Sequence, residues 1–302
     1  HTEAIVPVIL QALDEAGAGL NDIDGIAVTR GPGLIGSLLV GLSTAKALAF
    51  ARDLPLVGVN HLSGHIAAAM IMDPPPALPF VALVVSGGHT NIYLVRDFDD
   101  FQTLGQTRDD AAGEAFDKVA KLLFLGYPGG VVIEEISRDA DPEEIEFPRP
   151  LINDESYDFS FSGLKTAVLN RVLKEGIFEE MDLAFSGMPV EKEPKAGKEA
   201  LIPKIAAAFQ KAVVDVLTAK AFKAAADNRM ELLVVTGGVA SNGFLRESLR
   251  LKSLETGIRL IIPERKYCTD NAAMIGIAGI RHVNEGRFAS LDLNAVSRWT
   301  WE

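Results

Sequence analysis

The 302-residue chain is poor in cysteine and in positive charge: it has one Cys and two Trp, and 29 Lys and Arg stand against 41 Asp and Glu, for a formal net charge of −12. With Cys268 alone, no intramolecular disulfide can form, and the reading that follows is a reducing, cytoplasmic setting. The acidic balance excludes a surface that is basic throughout, so a nucleic-acid partner must meet a local basic patch or be shared with another subunit. No apolar run approaches the roughly eighteen residues of a membrane span, and the opening HTEAIVPVIL has no basic stretch ahead of a signal-type core. The expectation is a soluble protein without a membrane partner. What the chain does have is 48% hydrophobic residues, enough for a large core and more readily divided into two domains than one.

Short β-rich runs alternate with longer Ala/Leu-rich stretches, the pattern of α/β layers. GIAVT (25–29) and LPLVGV (54–59) read as buried strands joined by the helix GSLLVGLSTAKALAFA. VALVVSGGHTNIYLV (81–95) reads as an antiparallel hairpin around a Gly-containing turn. The spacing of Ala115, Val119 and Leu122 predicts a helix over 111–124, and residues 202–226 predict a long one. Residues 176–200, with EKEPKAGKE, read as a mobile insertion. LVVSGGH (83–89) recurs as LVVTGGV (233–239). The echo predicts a duplicated lobe, its two glycine turns facing each other across a cleft.

A glycine pair after a strand permits positive φ and a close backbone approach, and its successive N–H groups form an anion nest. The second turn runs on as GGVASNGFLRESLR, where Ser241 or Asn242 is the candidate cap of a helix starting near Phe244. Tight strand-to-helix connection without a ligand is the competing reading of each turn. RGPGLIGSLLVG is a third glycine-rich loop, but it fits neither the P-loop pattern nor a dinucleotide fingerprint. In DDAAGEAFDKVAKLLFLGYPGG, Asp117 follows Gly113 by four residues, so its carboxylate can reach a ribose hydroxyl or ligand amine; a surface pair with Lys121 is the alternative.

NHLSGHIAA places His61 and His65 on one helical face, where they are either two ligands of one ion or ordinary neighbours. A zinc peptidase helix carries glutamate after its first histidine; here that residue is Leu62, so the water-activating base is missing. Asp270, in YCTDNAAMIG, sits at the expected N-cap of a helix and is the candidate third ligand. His89 is a further candidate for polar contact; His1 and His282 carry no motif.

Taken together, NHLSGHIAA, VALVVSGGHT, DDAAGEAFDKVAKLL, YPGG, DFSFSGLKTAV, TGGVASN and CTDNAAMIG resemble, in order and spacing, the TsaD family, once called O-sialoglycoprotein endopeptidase. The resemblance runs from residue 1 to about residue 300. It implies an α/β actin-like ATPase fold (ribonuclease H-like), two related lobes around a nucleotide cleft, with residues 1–81 and 277–302 in the amino-terminal lobe and 82–276 in the carboxy-terminal lobe. It implies transfer of threonylcarbamoyl from threonylcarbamoyl-adenylate to N6 of the adenosine adjacent to the anticodon in ANN-decoding tRNAs. The implied partners are tRNA, the adenylate or an adenine nucleotide, an inactive TsaB-like paralogue and a TsaE-like ATPase.

Carried over residue by residue, the resemblance puts the metal ligands on His61, His65 and Asp270, for one divalent ion per subunit, iron(II) or zinc. Substrate contacts fall on Val84, Val85, Ser86, Gly87, Gly88, Asp117, Gly130, Glu134 and Asn242; no general base is assigned. The chain departs from the family at Ser63, where many relatives have glutamate, and at Glu134, where aspartate is usual. It also begins without the amino-terminal strand pair and phosphate turn of the family. The competing readings are a non-catalytic TsaB-like scaffold, which the three metal-type residues oppose, and a small-molecule kinase of the same fold, which calls for a catalytic acid and no histidine pair. For tRNA, the basic run Arg246 to Lys252 is the candidate docking cluster.

Overall fold

A computed structural model describes residues 1–97, 100–178 and 193–299. The core of the expected mobile insertion, 179–192, lies outside the described residues. The chain forms two compact units, 1–76 with 270–302, and 77–269. In chain order the first unit contributes α1 (Ile5–Glu15), β1 (Ile26–Gly31), α2 (Ile35–Arg52), β2 (Leu56–Asn60) and α3 (His61–Ala67). The second contributes β3 (Phe80–Val85), β4 (Thr90–Asp97), β5 (Asp100–Gln106), α4 (Ala112–Leu122), α5 (Gly129–Ile136), α6 (Ser162–Glu175) and α7 (Leu201–Asp227). It continues with β6 (Leu232–Thr236), α8 (Gly243–Thr256), β7 (Arg259–Ile261) and α9 (Arg265–Cys268), after which α10 (Ala272–Asn284) returns the chain to the first unit. These bounds differ from 81/82 and 276/277 because the whole of β3 pairs within the second sheet, and all of α10 packs on β1, β2 and α3.

In the first unit β1 and β2 form a parallel pair, with Ile26 opposite Leu56 and Val28 opposite Gly58. One side of the pair holds α2 through Ala45, Ala49 and Leu56; α10 packs through Met274 and Ile275 against Val57 and Val59. Eighteen-residue α2, with a mean hydropathy of 1.2, is long and apolar enough to cross a membrane by length and composition, which corrects the expectation that no such run exists. Its small residues serve instead to pack on the strand pair. The loop after β1 is shaped by packing too: a side chain on Gly31 would run into the Val296 carbonyl oxygen.

The second unit has a five-stranded sheet in the order β5-β4-β3-β6-β7. Strands β3 and β4 form the expected hairpin, Val85 opposite Thr90, and β3 pairs in parallel with β6, Val84 opposite Thr236. Every residue of β3 and β6 is buried, as continuous apolar runs require when both faces are covered. Helix α7 is buried on several sides, which is why its apolar residues show no single stripe. Phe209 meets Phe116 of α4 edge-on, ring centroids 5.2 Å apart. Lys220 is fully buried in this helix, its Nζ donating to the carbonyls of Asp154 and Ser156 and so anchoring the loop before α6; burial pushes its pKa down.

The echo between 83–89 and 233–239 has a different meaning from the one its sequence suggests. The two copies are neighbouring strands of one sheet within one unit, so the glycine turns stand side by side at the carboxyl ends of two parallel strands. The expectation of one turn per lobe is overturned by that pairing. Gly237 has φ +98, and a side chain there would meet the carbonyl oxygen of Val85, so the adjacent strand itself demands glycine.

Candidate functional site

Within the first unit the structure brings His61, His65 and Asp270 together, their candidate ligand atoms all within 4.8 Å of one another. Asn60 ends β2 and caps α3, its Oδ1 accepting from the N–H of Leu62 and Ser63 at 2.8 and 3.2 Å, so the histidine pair starts at a fixed point. Gly64 then allows α10 to come close: a Cβ there would lie 2.7 Å from Ile275 Cδ1. His65 is fully buried in consequence, while His61 keeps 19% exposure. The rings meet edge to face with centroids 4.8 Å apart.

Asp270 was expected to cap the following helix. Asn271 does so instead, its Oδ1 accepting from Met274 N at 2.8 Å, and Asp270 is left to face the imidazoles. Its Oδ1 lies 3.4 Å from His61 Nε2 and 3.2 Å from His65 Nε2. The imidazoles of His61 and then His65 hold its carboxyl well below the usual carboxylate range. Yet both ring nitrogens of His65 are buried without a hydrogen bond, and Asp270 stands beside them without satisfying either. Orphaned imidazole nitrogens beside a carboxylate fit a metal ion, which supplies the partner that burial otherwise denies.

The second unit holds a cavity of about 590 Å³, lined among others by Gly87, Asp117, Gly130, Glu134 and Asn242. Its walls are fixed by glycine contacts. A Cβ on Gly113 would be 2.6 Å from Ser86 O, and one on Gly129 would be 2.5 Å from Asp117 Cα. Asp117 accepts from Gly129 N at 2.8 Å, tying α4 to the start of α5. Glu134 does the same from α5, accepting from Gly243 N at 2.9 Å at the start of α8. Each carboxylate thus answers one orphan N–H at a helix N-terminus and keeps a second oxygen.

Five of the nine expected substrate residues line this cavity, and four do not: Val84, Val85, Ser86 and Gly88. Val84 and Val85 are interior strand residues without exposure. Ser86 closes the turn, its N–H donating to His89 O and its Oγ accepting from His89 N. Asn242 is buried and engaged on both sides of its amide: Oδ1 accepts from Leu245 N, settling the cap between Ser241 and Asn242, and Nδ2 donates to Gln210. Its first role is to seat α8.

The cations of the run Arg246 to Lys252 are engaged within the second unit. Arg246 donates to Ala240 O, Pro263 O and Cys268 Sγ, locking the second glycine turn to the segment before Asp270; Arg250 pairs with Glu247 and Lys252 with Glu255. Burial pushes the Cys268 thiol up. Among the cavity residues that sequence reasoning missed are two arginines, Arg138 and Arg265. Arg138 carried a signal, since it continues the four-residue spacing of Gly130 and Glu134; Arg265, after a proline turn, carried none.

Residues 1–277 match the family described as TsaD, tRNA N6-adenosine threonylcarbamoyltransferase. Curated proteins of that name include one from Syntrophus aciditrophicus (strain SB), 56% identical and covering 99% of this chain and 82% of the relative. Another, from Geobacter sp. (strain M21), is 51% identical with the same coverage. Among solved structures, T. kodakarensis HypF aligns with a TM-score of 0.63 at 13% identity, over 91% of this chain and 42% of that one. The activator of the 2-hydroxyisocaproyl-CoA dehydratase from Clostridium difficile, solved with bound ADPNP, gives 0.52 at 15%, over 94% and 83%. At such identities the structural likeness concerns the fold alone, an α/β fold of the actin-like ATPase type.

Proposed function

This chain belongs to the TsaD family, and is a transferase of tRNA threonylcarbamoyladenosine modification; we propose that it moves threonylcarbamoyl from threonylcarbamoyl-adenylate to N6 of the adenosine adjacent to the anticodon in ANN-decoding tRNAs, leaving AMP. The observation that carries this reading is the cavity of the second unit. There Asp117 and Glu134 are held by one oxygen each, and the second oxygens suit the vicinal hydroxyls of a ribose. Gly130, whose Cβ position is open, leaves room for the sugar. The exposed glycines of the 86–89 turn have open Cβ positions and leave room for a phosphate close to the backbone, without the positive φ that the glycine pair permits.

In the transfer itself the N6 amine attacks the carbamoyl carbon of the mixed anhydride. An N–C bond forms, the C–O bond to phosphate breaks, AMP departs with the electron pair, and the N6 proton passes to solvent. The residues named above hold the adenylate so that this carbon is presented in one orientation, the largest contribution that positioning can make. His61, His65 and Asp270 would hold one divalent ion, for which we assign iron(II), with zinc second, since two imidazoles and a carboxylate suit either. When bound, such an ion supplies Lewis-acid polarisation of a phosphate or acyl oxygen. The same trio opposes the scaffold reading, and Leu62 after His61 opposes the peptidase one.

Partners and place belong to the same proposal. Val6, Val8 and Leu10 of α1 and Leu39 and Phe50 of α2 are exposed apolar residues on the first unit, which supports a protein partner such as a TsaB-like paralogue, with a TsaE-like ATPase completing the assembly. A single reduced cysteine and an α2 that packs on strands support a cytoplasmic protein without a membrane partner. The deciding experiment measures metal content in the protein and its His61→Ala variant, each then assayed for threonylcarbamoyl transfer to unmodified tRNA with the partners supplied. Loss of both metal and transfer is expected; equal metal and equal transfer would overturn the assignment.

A further inference from the structure

Two guanidinium groups in the cavity have no task in the contacts described so far. Arg138 and Arg265 both line it, both are exposed, and neither is paired with a carboxylate among the described residues. Their places can be ordered along the walls. Gly87 touches Gly113; Asp117 lies one helical turn beyond Gly113 on α4 and holds the start of α5. From there Gly130 and Glu134 follow four residues apart along one face of α5, and Arg138 comes four residues later, two past the end of that helix. Arg265 comes from the facing wall abreast of Glu134: the Cβ position of Gly243 lies 2.8 Å from Glu134 Oε1 and 3.4 Å from Arg265 Nη2.

A nucleotide has its parts in the same order. With phosphate at the glycine turn and ribose at the carboxylates, the next group along the cavity is the base, and it arrives where the arginines stand. A second anion would be a poor occupant there, because Glu134 and Glu135 line the same stretch. A flat, uncharged, aromatic base is a good one: the guanidinium is planar, weakly hydrated and stacks on π faces, and here it breaks no ion pair in doing so. We infer that Arg138 and Arg265 clamp the purine base of the adenylate between their guanidinium planes, a binding role that rests on the nucleotide reading above.

Calorimetric titration of the full chain with AMP, and in parallel with ribose 5-phosphate, separates the base from the rest of the ligand. Arg138→Ala and Arg265→Ala should each weaken AMP about tenfold, the size of a lost stacking contact, and leave ribose 5-phosphate unchanged. Arg265→Lys should behave as Arg265→Ala does, because charge is kept and the plane is lost. Equal weakening of both ligands, or recovery with lysine, would make the arginines charge contacts and overturn the clamp. So would AMP binding that falls in Asp117→Asn but in neither arginine variant. AMP binding indifferent to Asp117→Asn and to both arginine changes would instead overturn the nucleotide reading on which the clamp stands. Both side chains are exposed, so neither substitution removes a core contact.

Discussion

The two units place their chemistry by different means. In the second, the cavity stands on strands without an exposed residue and on a helix wrapped by protein, so its glycine turns and carboxylates inherit their positions from a large core. In the first, α1 has no buried residue, β1 is only partly covered, and an apolar hollow of about 500 Å³ lies beside α1, α2 and β1. The histidine pair and Asp270 are held there by local devices: the Asn60 cap, the Gly64 contact and the Asn271 cap. A thin core can still support an ordered site when each ligand is fixed by its own short-range contact, at the cost that each contact then matters singly.

The largest effect that separates the regions is expected from Phe209→Ala. It empties a fully buried ring site against Phe116 and should lower unfolding free energy by about 3–5 kcal/mol, read by denaturant titration. Under conditions where the variant is still folded, its affinity for iron(II) or zinc should equal the parent's. A parallel loss of metal would mean that the first unit depends on the second one's core, and the contrast would fail.

Gly64→Val tests the converse. The added Cβ collides with Ile275 and a branched side chain cannot retreat from it, so about 1–3 kcal/mol of overpacking is expected. Displacement of α3 from α10 should carry His65 away from Asp270, and metal affinity should drop while AMP binding in the second unit stays as it was. Unchanged metal binding would show that the trio tolerates slack and that Gly64 serves packing only.

The legible part of this molecule was periodic. The spacing in 111–124, the all-round apolar run of 202–226 and the hairpin around 86–89 each appear as elements within a residue or two of their expected bounds. The residues of the trio were also visible, because H-x-x-x-H on a helix is a local pattern. What could not be read was which of two adjacent polar residues takes which task. Asp270 and Asn271 are both good caps, and the choice is decided by two histidines more than two hundred residues earlier, which favour the carboxylate. Likewise the partners of Arg246 to Lys252 were not legible, since its cations find carbonyls and carboxylates on their own helix and its neighbours. The repeated glycine turn was legible as a repeat and misleading as topology, because strand pairing is a long-range fact.

The smallest and sharpest comparison lies between two asparagines in the same local role. Asn60 caps α3 and Asn242 caps α8, each accepting from the second or third N–H of its helix. Asn60→Ala removes a cap together with an amide Nδ2 that is buried without a hydrogen bond, and about 1 kcal/mol should go with it. Asn242→Ala removes a cap and also strands the Gln210 side chain, 4% exposed and bonded to Asn242 Nδ2 at 2.8 Å, which adds about 1–3 kcal/mol for an unsatisfied buried amide. Denaturant midpoints should therefore rank parent, Asn60→Ala, then Asn242→Ala. Metal affinity should reverse that order of harm: the cap at Asn60 sets where His61 and His65 begin, so the milder stability variant should bind the ion less well, while Asn242→Ala leaves it alone. If Asn60→Ala proves the more destabilised of the two, the first unit relies on its caps even more heavily than its burial indicates; if it is milder and binds metal normally, then Gly64 and α10 alone hold the trio.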